Sequence, residues 1–198
     1  MKKFEEKQFN IPDLKGISKK TIEEHLKLYA GYVKHANLVR EKIDEMKKDA
    51  EKNAYAIGEV MRRFGFEYNG MRNHEVYFSI LEGGSKSIQQ DSTLVKKVIE
   101  DFGSWDMWLN EFKSISLTRG IGWAMLYYDH REDRLLNAWI DEQHLGQLQD
   151  CTLILALDMW EHSYVSDYQP SGKKNYVEDF FANINWETAE GNFKNSAR

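Results

Sequence analysis

The strongest constraint on the fold of this chain is a long interval without proline. The two prolines are Pro12 and Pro170, so every residue between them can donate a backbone hydrogen bond. Because proline removes that donor and breaks helices, the interval can hold long helices. Apolar side chains recur at helical spacing early in this interval, at Ile22, Leu26, Tyr29, Val33 and Ala36. The pattern predicts two long helices over residues 21–64.

Local signals mark where these helices begin and end. Thr21 and Glu24 have the spacing of a capping box, and Ser18 competes as the residue that caps the first helix. A further helix is predicted to end at Gly83 and Gly84, since paired glycines favour a boundary. The apolar residues of the later helices are Ile57, Val60, Met61 and Phe64, then Met71, Tyr77, Phe78 and Leu81.

The second half of the chain has a different character. One helix is predicted over residues 92–113 and a closing helix over 175–193. Between them, GWAMLYYD and RLLNAWI flank the turn HRED and predict a β-hairpin, and residues 150–159 predict a third strand. The chain thus begins with helices alone and continues with a helix, three strands and a closing helix. This order indicates an α+β fold in two layers.

Composition excludes several classes of partner. A formal net charge of -5 and a pI near 5.7 give no nucleic-acid footprint. The sequence has neither an 18-residue apolar run, as a transmembrane helix needs, nor the apolar core of a signal peptide near its start. One cysteine, Cys151, excludes an intrachain disulfide and favours a reducing cytoplasm. Cys151 lies in an apolar stretch and is predicted to be buried.

Four polar residues at apolar positions suggest a metal site. The apolar run LILALD ends on Asp158, and His162 follows four residues later. His25 and His74 lie on apolar helical stripes. Taken singly, each histidine could be an ordinary core residue bonded to a carbonyl, and Asp158 with His162 an ordinary polar turn. Together they offer three imidazoles and one carboxylate, which suits Fe or Mn, and zinc is chemically acceptable too.

The other histidines fit such a site less well. His35 lies ten residues after His25 and is predicted to face solvent on the opposite side of the helix. His130, in the HRED turn, is also predicted at the surface, and His144 in a polar loop stays undecided.

Five segments around these residues resemble the iron/manganese superoxide dismutase family, in the family's order and over nearly the whole chain. They are TIEEH ending at His25, NGMRNHEVYF around His74, GIGWAMLYYD, DMWEHSYVSDYQ from Asp158, and FFANINWETAEGNF. The resemblance implies an N-terminal antiparallel helical hairpin, residues 1–84, packed on a C-terminal α/β domain, residues 85–198, with a three-stranded antiparallel sheet. The metal site would lie between the two domains.

The resemblance also implies an activity. His25, His74, Asp158 and His162 would hold one Mn or Fe ion per subunit, with manganese slightly favoured and either metal acceptable. The ion would cycle between 3+ and 2+ and convert superoxide to oxygen and hydrogen peroxide. Water or hydroxide would occupy a fifth position.

Further residues are assigned by the same resemblance. Tyr32 would stand near the substrate entrance, seven residues after the first ligand where the family usually has eight. Trp123 and Trp160 would line the pocket. A glutamine that bonds the bound solvent comes from the second ligand helix or from the hairpin, depending on subgroup. Gly70 occupies the helix position, so Gln143 is the candidate and resembles the manganese type, with His144 as the alternative.

Partners follow from the resemblance as well. Glu161 would bond His162 of a second subunit and make a homodimer, or a tetramer. The substrate is the superoxide anion, and neither nucleic acid nor membrane is expected as a partner. Because the chain is acidic, a local basic funnel is needed. Lys173 is the chosen candidate for it, and the others are Lys27, Lys34 and Arg72.

The sequence departs from the family at several positions. Val165 stands where a second tyrosine is common, and Tyr29 or Leu28 stands near the place of an entrance histidine. Lys173 or Lys174 replaces an arginine, and Ala156 replaces a glycine. These changes predict an altered metal preference rather than a loss of activity.

Two other functions are compatible with parts of the pattern. A non-haem iron oxygenase uses two histidines and one carboxylate, but the third histidine argues against it. A structural homologue without catalytic activity would keep the fold, but the intact ligand set argues against that alternative.

Overall fold

The N-terminal half is a hairpin of two long helices. The computed structural model describes residues 2–196, and its first helices are α1 (Lys19–Met46) and α2 (Ala54–Leu81). Ser18 caps α1, because its hydroxyl accepts a hydrogen bond from the Thr21 amide at 3.2 Å. The alternative cap at Thr21 is therefore not used.

Helix α2 corrects the sequence prediction. The sequence predicts separate helices for the apolar stripes at 57–64 and 71–81, but both stripes belong to the single helix Ala54–Leu81. No proline interrupts it, and an interior glycine costs only about 1 kcal/mol relative to alanine, which packing against α1 can offset. The predicted end is confirmed, since Gly83 and Gly84 have φ values of 74° and 82° that favour glycine.

Two other predicted helices are each split in two. The helix expected over 92–113 is α3 (Thr93–Phe102) and α4 (Trp105–Ser116), separated by Gly103 at φ 86°. The closing helix is α6 (Lys173–Asn183) and α7 (Trp186–Ser196). That second break has a tertiary cause, because the Asn185 amide donates to the carbonyl of Ile80 at the end of α2, 2.7 Å away.

The three predicted strands form one antiparallel sheet. Its strands are β1 (Gly122–Asp129), β2 (Arg134–Asp141) and β3 (Cys151–Asp158), in the order β2-β1-β3. The central strand β1 is almost entirely buried, and its register places Trp123 opposite Asp158. The α+β fold with a helical hairpin and a three-stranded sheet is confirmed.

A short segment after the sheet holds the hairpin in place. A 3-10 turn (Glu161–Ser163) and the one-turn helix α5 (Val165–Tyr168) follow β3. Within α5, Asp167 Oδ2 accepts hydrogen bonds from the Ser18 amide at 2.8 Å and the Thr21 hydroxyl at 2.7 Å. The loop that carries His162 is thereby tied to the start of the helix that carries His25.

Cys151 is half-buried rather than buried, which corrects the sequence prediction. It begins β3, and β3 is an edge strand, so one side of the residue faces solvent. Among the helices of residues 2–196, none has the length together with the apolar character that crossing a bilayer demands.

Candidate metal centre

Four side chains from four different elements converge between the hairpin and the sheet. His25 comes from α1, His74 from α2, Asp158 from the end of β3 and His162 from the 3-10 turn. One nitrogen or oxygen of each lies within 4.8 Å of the others. The structure therefore brings together the four residues that the sequence singled out as candidate ligands.

One carboxylate oxygen lies at the centre of this group. Asp158 Oδ2 is 3.1 Å from His25 Nε2, 3.2 Å from His162 Nε2 and 3.6 Å from His74 Nε2. The side chains of His25, His74 and Asp158 are fully buried, whereas that of His162 is 24% exposed. Three imidazole nitrogens thus face one buried oxygen, and His162 borders solvent.

The protonation states suit a cation. Burial lowers the pKa of His25. Burial, and the repulsion that would arise if His25 and His74 were both protonated, lower the pKa of His74 to about 3. Burial by itself raises the pKa of Asp158, but the charge and hydrogen bond of His162, and those of His25, hold it well below its usual range. At neutral pH the two buried imidazoles are neutral and the carboxylate is ionised, as metal ligation requires.

An unpaired nitrogen tests whether a metal fits. His74 Nδ1 donates to the Gly70 carbonyl at 2.6 Å, so the lone pair of Nε2 faces the other three side chains. That Nε2 is buried and has no hydrogen-bond partner among the described residues. A buried polar atom without a partner is costly. A cation at the centre of the group would satisfy it, and a donor set of three nitrogens and one oxygen suits Fe or Mn.

Two tryptophans border the group, as the sequence analysis expected. The ring of Trp123 meets His74 edge-on at 5.0 Å, and the ring of Trp160 stacks on His162 at 6.0 Å. Trp123 is fully buried, and Trp160 is half-buried. Trp123 thus packs against the group from the sheet, and Trp160 lies between His162 and the surface cavity that it helps to line.

Gln143 lies in a hydrogen-bonded chain beside the group. Its Oε1 accepts from the Trp123 indole at 3.0 Å, and its Nε2 donates to the Tyr32 hydroxyl at 3.0 Å. The Tyr32 ring in turn lies 5.0 Å from the ring of His74. The chain Trp123–Gln143–Tyr32 therefore runs along one side of the four candidate ligands.

His144, the alternative to Gln143, points elsewhere. Its ring packs edge-on against Phe66 at 5.8 Å, and its buried Nδ1 has no partner within residues 2–196. A register shift of one residue would have exchanged the two side chains, and periodicity in a polar loop could not decide between them.

The backbone of Gln143 is held by residues that the sequence analysis missed. Asn73 Nδ2 donates to the Gln143 carbonyl at 2.9 Å, and Gln147 Nε2 donates to Asn73 Oδ1 at 3.2 Å. Asn73 precedes His74 directly and Gln147 follows Gln143 by four residues. That proximity in sequence was the signal that could have indicated them.

Gly70 makes room for Tyr32. A Cβ atom at Gly70 would lie between 2.5 and 2.9 Å from three carbons of the Tyr32 ring, closer than carbons can approach. No larger side chain fits there while Tyr32 keeps its place. Tyr32 also shares the His25 face of α1, because the helix is continuous and seven residues make about two turns.

An open cavity of about 500 Å³ leads toward this group from the surface. Its lining includes Leu28, Tyr32 and His35 of α1, Arg63 and Phe66 of α2, and Trp160. His35 is exposed, as predicted, but it lies on the cavity side because ten residues are close to three helical turns. Arg63 and Phe66 were missed by the sequence analysis, although each lies near the His74 face of α2.

Two further residues that the sequence singled out, Lys173 and Glu161, do not line this cavity. Lys173 lies outside this lining: its ammonium donates to the Thr118 carbonyl at 2.8 Å and stands 5.5 Å over the Trp139 ring, and burial lowers its pKa. Glu161 is exposed, and its carboxylate has no hydrogen-bond partner within residues 2–196.

The residues at which the sequence departs from the family pattern lie in three different parts of the structure. Tyr29 is buried, and its hydroxyl accepts from the Lys7 amide at 2.9 Å and lies 3.4 Å from Glu75, on the far side of the hairpin from the cavity. Ala156 is fully buried in β3 opposite Met125. Val165 begins α5 and is half-buried.

Comparison with known proteins agrees with this geometry. Residues 90–192 match the family model of the C-terminal domain of iron/manganese superoxide dismutases. An iron superoxide dismutase of Cupriavidus metallidurans is 36% identical over 93% of this chain and 92% of its own length. One from Aquifex aeolicus is 31% identical over 94% and 88%. A manganese superoxide dismutase of Haloferax volcanii is 32% identical over 80% and 77%. The chain therefore belongs to the iron/manganese superoxide dismutase family.

Proposed function

We propose that the protein is a superoxide dismutase that converts two superoxide anions and two protons to oxygen and hydrogen peroxide. The observation that carries this proposal is the convergence of His25, His74, Asp158 and His162 around an unpaired His74 nitrogen. These four side chains would hold one Fe or Mn ion. When bound, the ion supplies the one-electron redox couple between its 3+ and 2+ states.

The protein itself must supply protons where peroxide forms. Tyr32 accepts its hydrogen bond from Gln143, so the hydroxyl hydrogen of Tyr32 remains free to be donated. Burial raises the pKa of Tyr32 well above its usual value, which keeps the hydroxyl protonated at physiological pH. We assign Tyr32 and Gln143 to proton delivery, and Trp123 to the orientation of Gln143.

The choice of metal is part of the proposal. Gln143 comes from the segment after the β-hairpin, and Gly70 leaves the helix position without a side chain. The resemblance to the family implies that this arrangement is of the manganese type. We therefore favour manganese slightly, with iron acceptable. Relatives named for each metal are similar to this chain to comparable degrees.

Two further properties, the oligomeric state and the location, are part of the proposal. A homodimer would let Glu161 of each subunit bond the exposed side of His162 in the other, which is how a carboxylate orients a ligating imidazole. A cytoplasmic location is supported by the use of a single cysteine, Cys151. A steering role for Lys173 also stays a prediction.

The test is reconstitution with each metal separately. Metal-free protein is loaded with Mn or Fe, and metal content and dismutation rate are measured. We expect about one ion per chain and activity with manganese at least as high as with iron. Activity with neither metal at full loading would refute the proposal, and an oxygen uptake that depends on an organic co-substrate would instead support an oxygenase.

The ligand assignment has its own control. His74→Ala should lose both metal and activity, whereas His130→Ala should keep both, because His130 lies at the exposed turn of the β-hairpin. Unchanged metal content in His74→Ala would show that the ion binds elsewhere.

A further inference from the structure

The cavity above the metal centre is bounded by one face of each long helix. On α2, Arg63 precedes His74 by eleven residues, which is about three turns, so both project from nearly the same side of the helix roughly 16 Å apart along its axis. Phe66 lies between them and contacts Tyr32 of α1, with 5.9 Å between the ring centroids. Arg63 thus stands at the outer end of the face that leads to the metal.

The Arg63 side chain is held in a defined position. Its guanidinium carbon lies 3.7 Å from the centre of the Phe66 ring, and its Nε donates to Glu67 Oε1 at 2.8 Å. The Arg63 side chain is 55% exposed, whereas that of Glu67 is only 9% exposed. Because only Nε is bonded within residues 2–196, the two terminal amino groups remain available to an incoming anion.

Other cations are less suited to this position. Lys27 also borders the cavity, but its ammonium pairs with the exposed carboxylate of Glu24 at 2.6 Å. Arg72 pairs with Glu75 in a different groove, and Lys173 is bonded to the carbonyl of Thr118. Among these cations, Arg63 is the one that lines the cavity and is positioned by both a hydrogen bond and a ring contact.

The charges of Arg63 and Glu67 both reach the reaction site. They act in opposite directions on the Tyr32 hydroxyl, whose pKa is lowered by the positive charge of Arg63 and raised by the negative charge of Glu67. The whole chain carries a formal charge of -5, so its overall field repels an anion. Charges placed at the mouth then decide how often the anion enters.

We propose that Arg63 draws the anionic substrate into the cavity and that the buried carboxylate of Glu67 limits this attraction. The inference rests on the proposed dismutase function for the identity of the anion. It assigns a steering role to two residues of α2 that touch neither the metal ligands nor the hydrogen-bonded chain through Gln143.

The first measurement compares Arg63→Gln with Arg62→Gln in the metal-loaded enzyme. Both remove one positive charge from neighbouring positions of α2, and Arg62 is an exposed residue paired with Glu59. At low ionic strength we expect Arg63→Gln to lower kcat/KM by about threefold or more, with less loss at high salt. Arg62→Gln should stay close to the parent enzyme. Equal losses in the two variants would overturn the proposal, because bulk charge would then explain both.

Glu67→Gln separates steering from a structural salt bridge. The substitution removes the negative charge of Glu67 and leaves Arg63 in the chain. A steering role therefore predicts a higher kcat/KM in Glu67→Gln and a lower kcat/KM in Arg63→Gln. A purely structural pair predicts that both variants lose activity together with thermal stability, and that result would also overturn the proposal.

Azide binding gives a readout that does not need turnover. The dissociation constant of azide, measured by the absorption of the metal-loaded protein, should rise in Arg63→Gln, fall in Glu67→Gln and stay unchanged in Arg62→Gln. If the parent protein lacks dismutase activity but these shifts appear, the proposed reaction fails and the steering role stands. If activity is present and azide affinity is the same in all four proteins, the steering role fails alone.

Discussion

At the scale of single residues, the site depends on where its protons lie. The Gly70 carbonyl holds the proton of His74 on Nδ1, so Nε2 presents a lone pair to the other three candidate ligands. Burial keeps this imidazole neutral, while the surrounding histidines keep Asp158 ionised. The protein thus pre-forms the charge state that a metal cation needs, and the unpaired Nε2 makes the metal-free state less stable than it would otherwise be.

This proton distribution predicts an acid sensitivity of the metal-free protein. The pKa of His74 is about 3 in the folded state and near 6.5 when unfolded, so the unfolded chain binds more protons between these values. Stability is then lost as the pH falls toward and below about 6.5, and His74 alone accounts for about 2 kcal/mol between pH 7 and pH 5. The depressed pKa of Asp158 adds a further loss only at lower pH.

Urea unfolding at pH 7, 6 and 5 measures this effect. His74→Gln, which cannot titrate, should show a shallower decline than the parent, and His130→Gln should follow the parent. A parent protein equally stable at pH 7 and pH 5 would contradict the buried neutral imidazole.

At the scale of elements, the contact between α1 and α2 decides the shape of the site. The two helices approach closely where the Tyr32 ring of α1 lies against the backbone of Gly70 in α2. Because both helices are continuous, this single contact sets the depth of Tyr32 relative to His25 and His74. It also brings the Tyr32 hydroxyl within reach of Gln143.

Gly70→Ala is therefore expected to damage catalysis. The new methyl group would lie 2.5 Å from a ring carbon of Tyr32 and displace the ring, which breaks the hydrogen bond to Gln143. We expect kcat to fall about tenfold or more with metal content retained, since proton transfer contributes factors of that size or larger. Turnover and metal analysis on the same samples check this outcome.

Gly58→Ala on the same helix is the matched control. Its Cβ would meet no atom within 4 Å, so the substitution should stabilise the protein by about 0.5 to 1 kcal/mol and leave kcat unchanged. If Gly70→Ala behaved like Gly58→Ala, the steric role of Gly70 would be wrong.

At the scale of the whole molecule, the site joins the two halves of the chain. The hairpin contributes His25 and His74, and the sheet and its following turn contribute Asp158 and His162. Metal binding therefore links the halves, since a ligand that binds only the folded state stabilises it. His162 keeps one side open to solvent, which is where the proposed second subunit would reach it.

The proposed dimer predicts a specific effect of Glu161→Gln. Each subunit would lose the charged partner of its neighbour's His162, and such pairs are worth about 2 kcal/mol or more when desolvated. We expect the dimer dissociation constant to rise at least about tenfold in sedimentation measurements over a dilution series. Glu132→Gln, at the exposed turn of the β-hairpin, should leave it unchanged. A monomeric parent protein would exclude this role for Glu161.

The sequence by itself determined which residues could bind a metal and most of the elements that carry them. Helical spacing placed His25 and His74 on apolar faces, and an apolar strand ending on Asp158 with His162 four residues later indicated the other pair. These conclusions are local, because periodicity assigns a side chain to one face of its own element.

Only the tertiary structure decided what depends on contacts between distant segments. It showed that α2 is one helix and that the closing helix breaks where Asn185 bonds the end of α2. It also brought Gln143, and not His144, into contact with Tyr32, and placed Arg63 at the mouth of the cavity. The physical reason is common to all of these: hydrogen bonds and packing between remote elements set register and break points, and local periodicity carries no information about them.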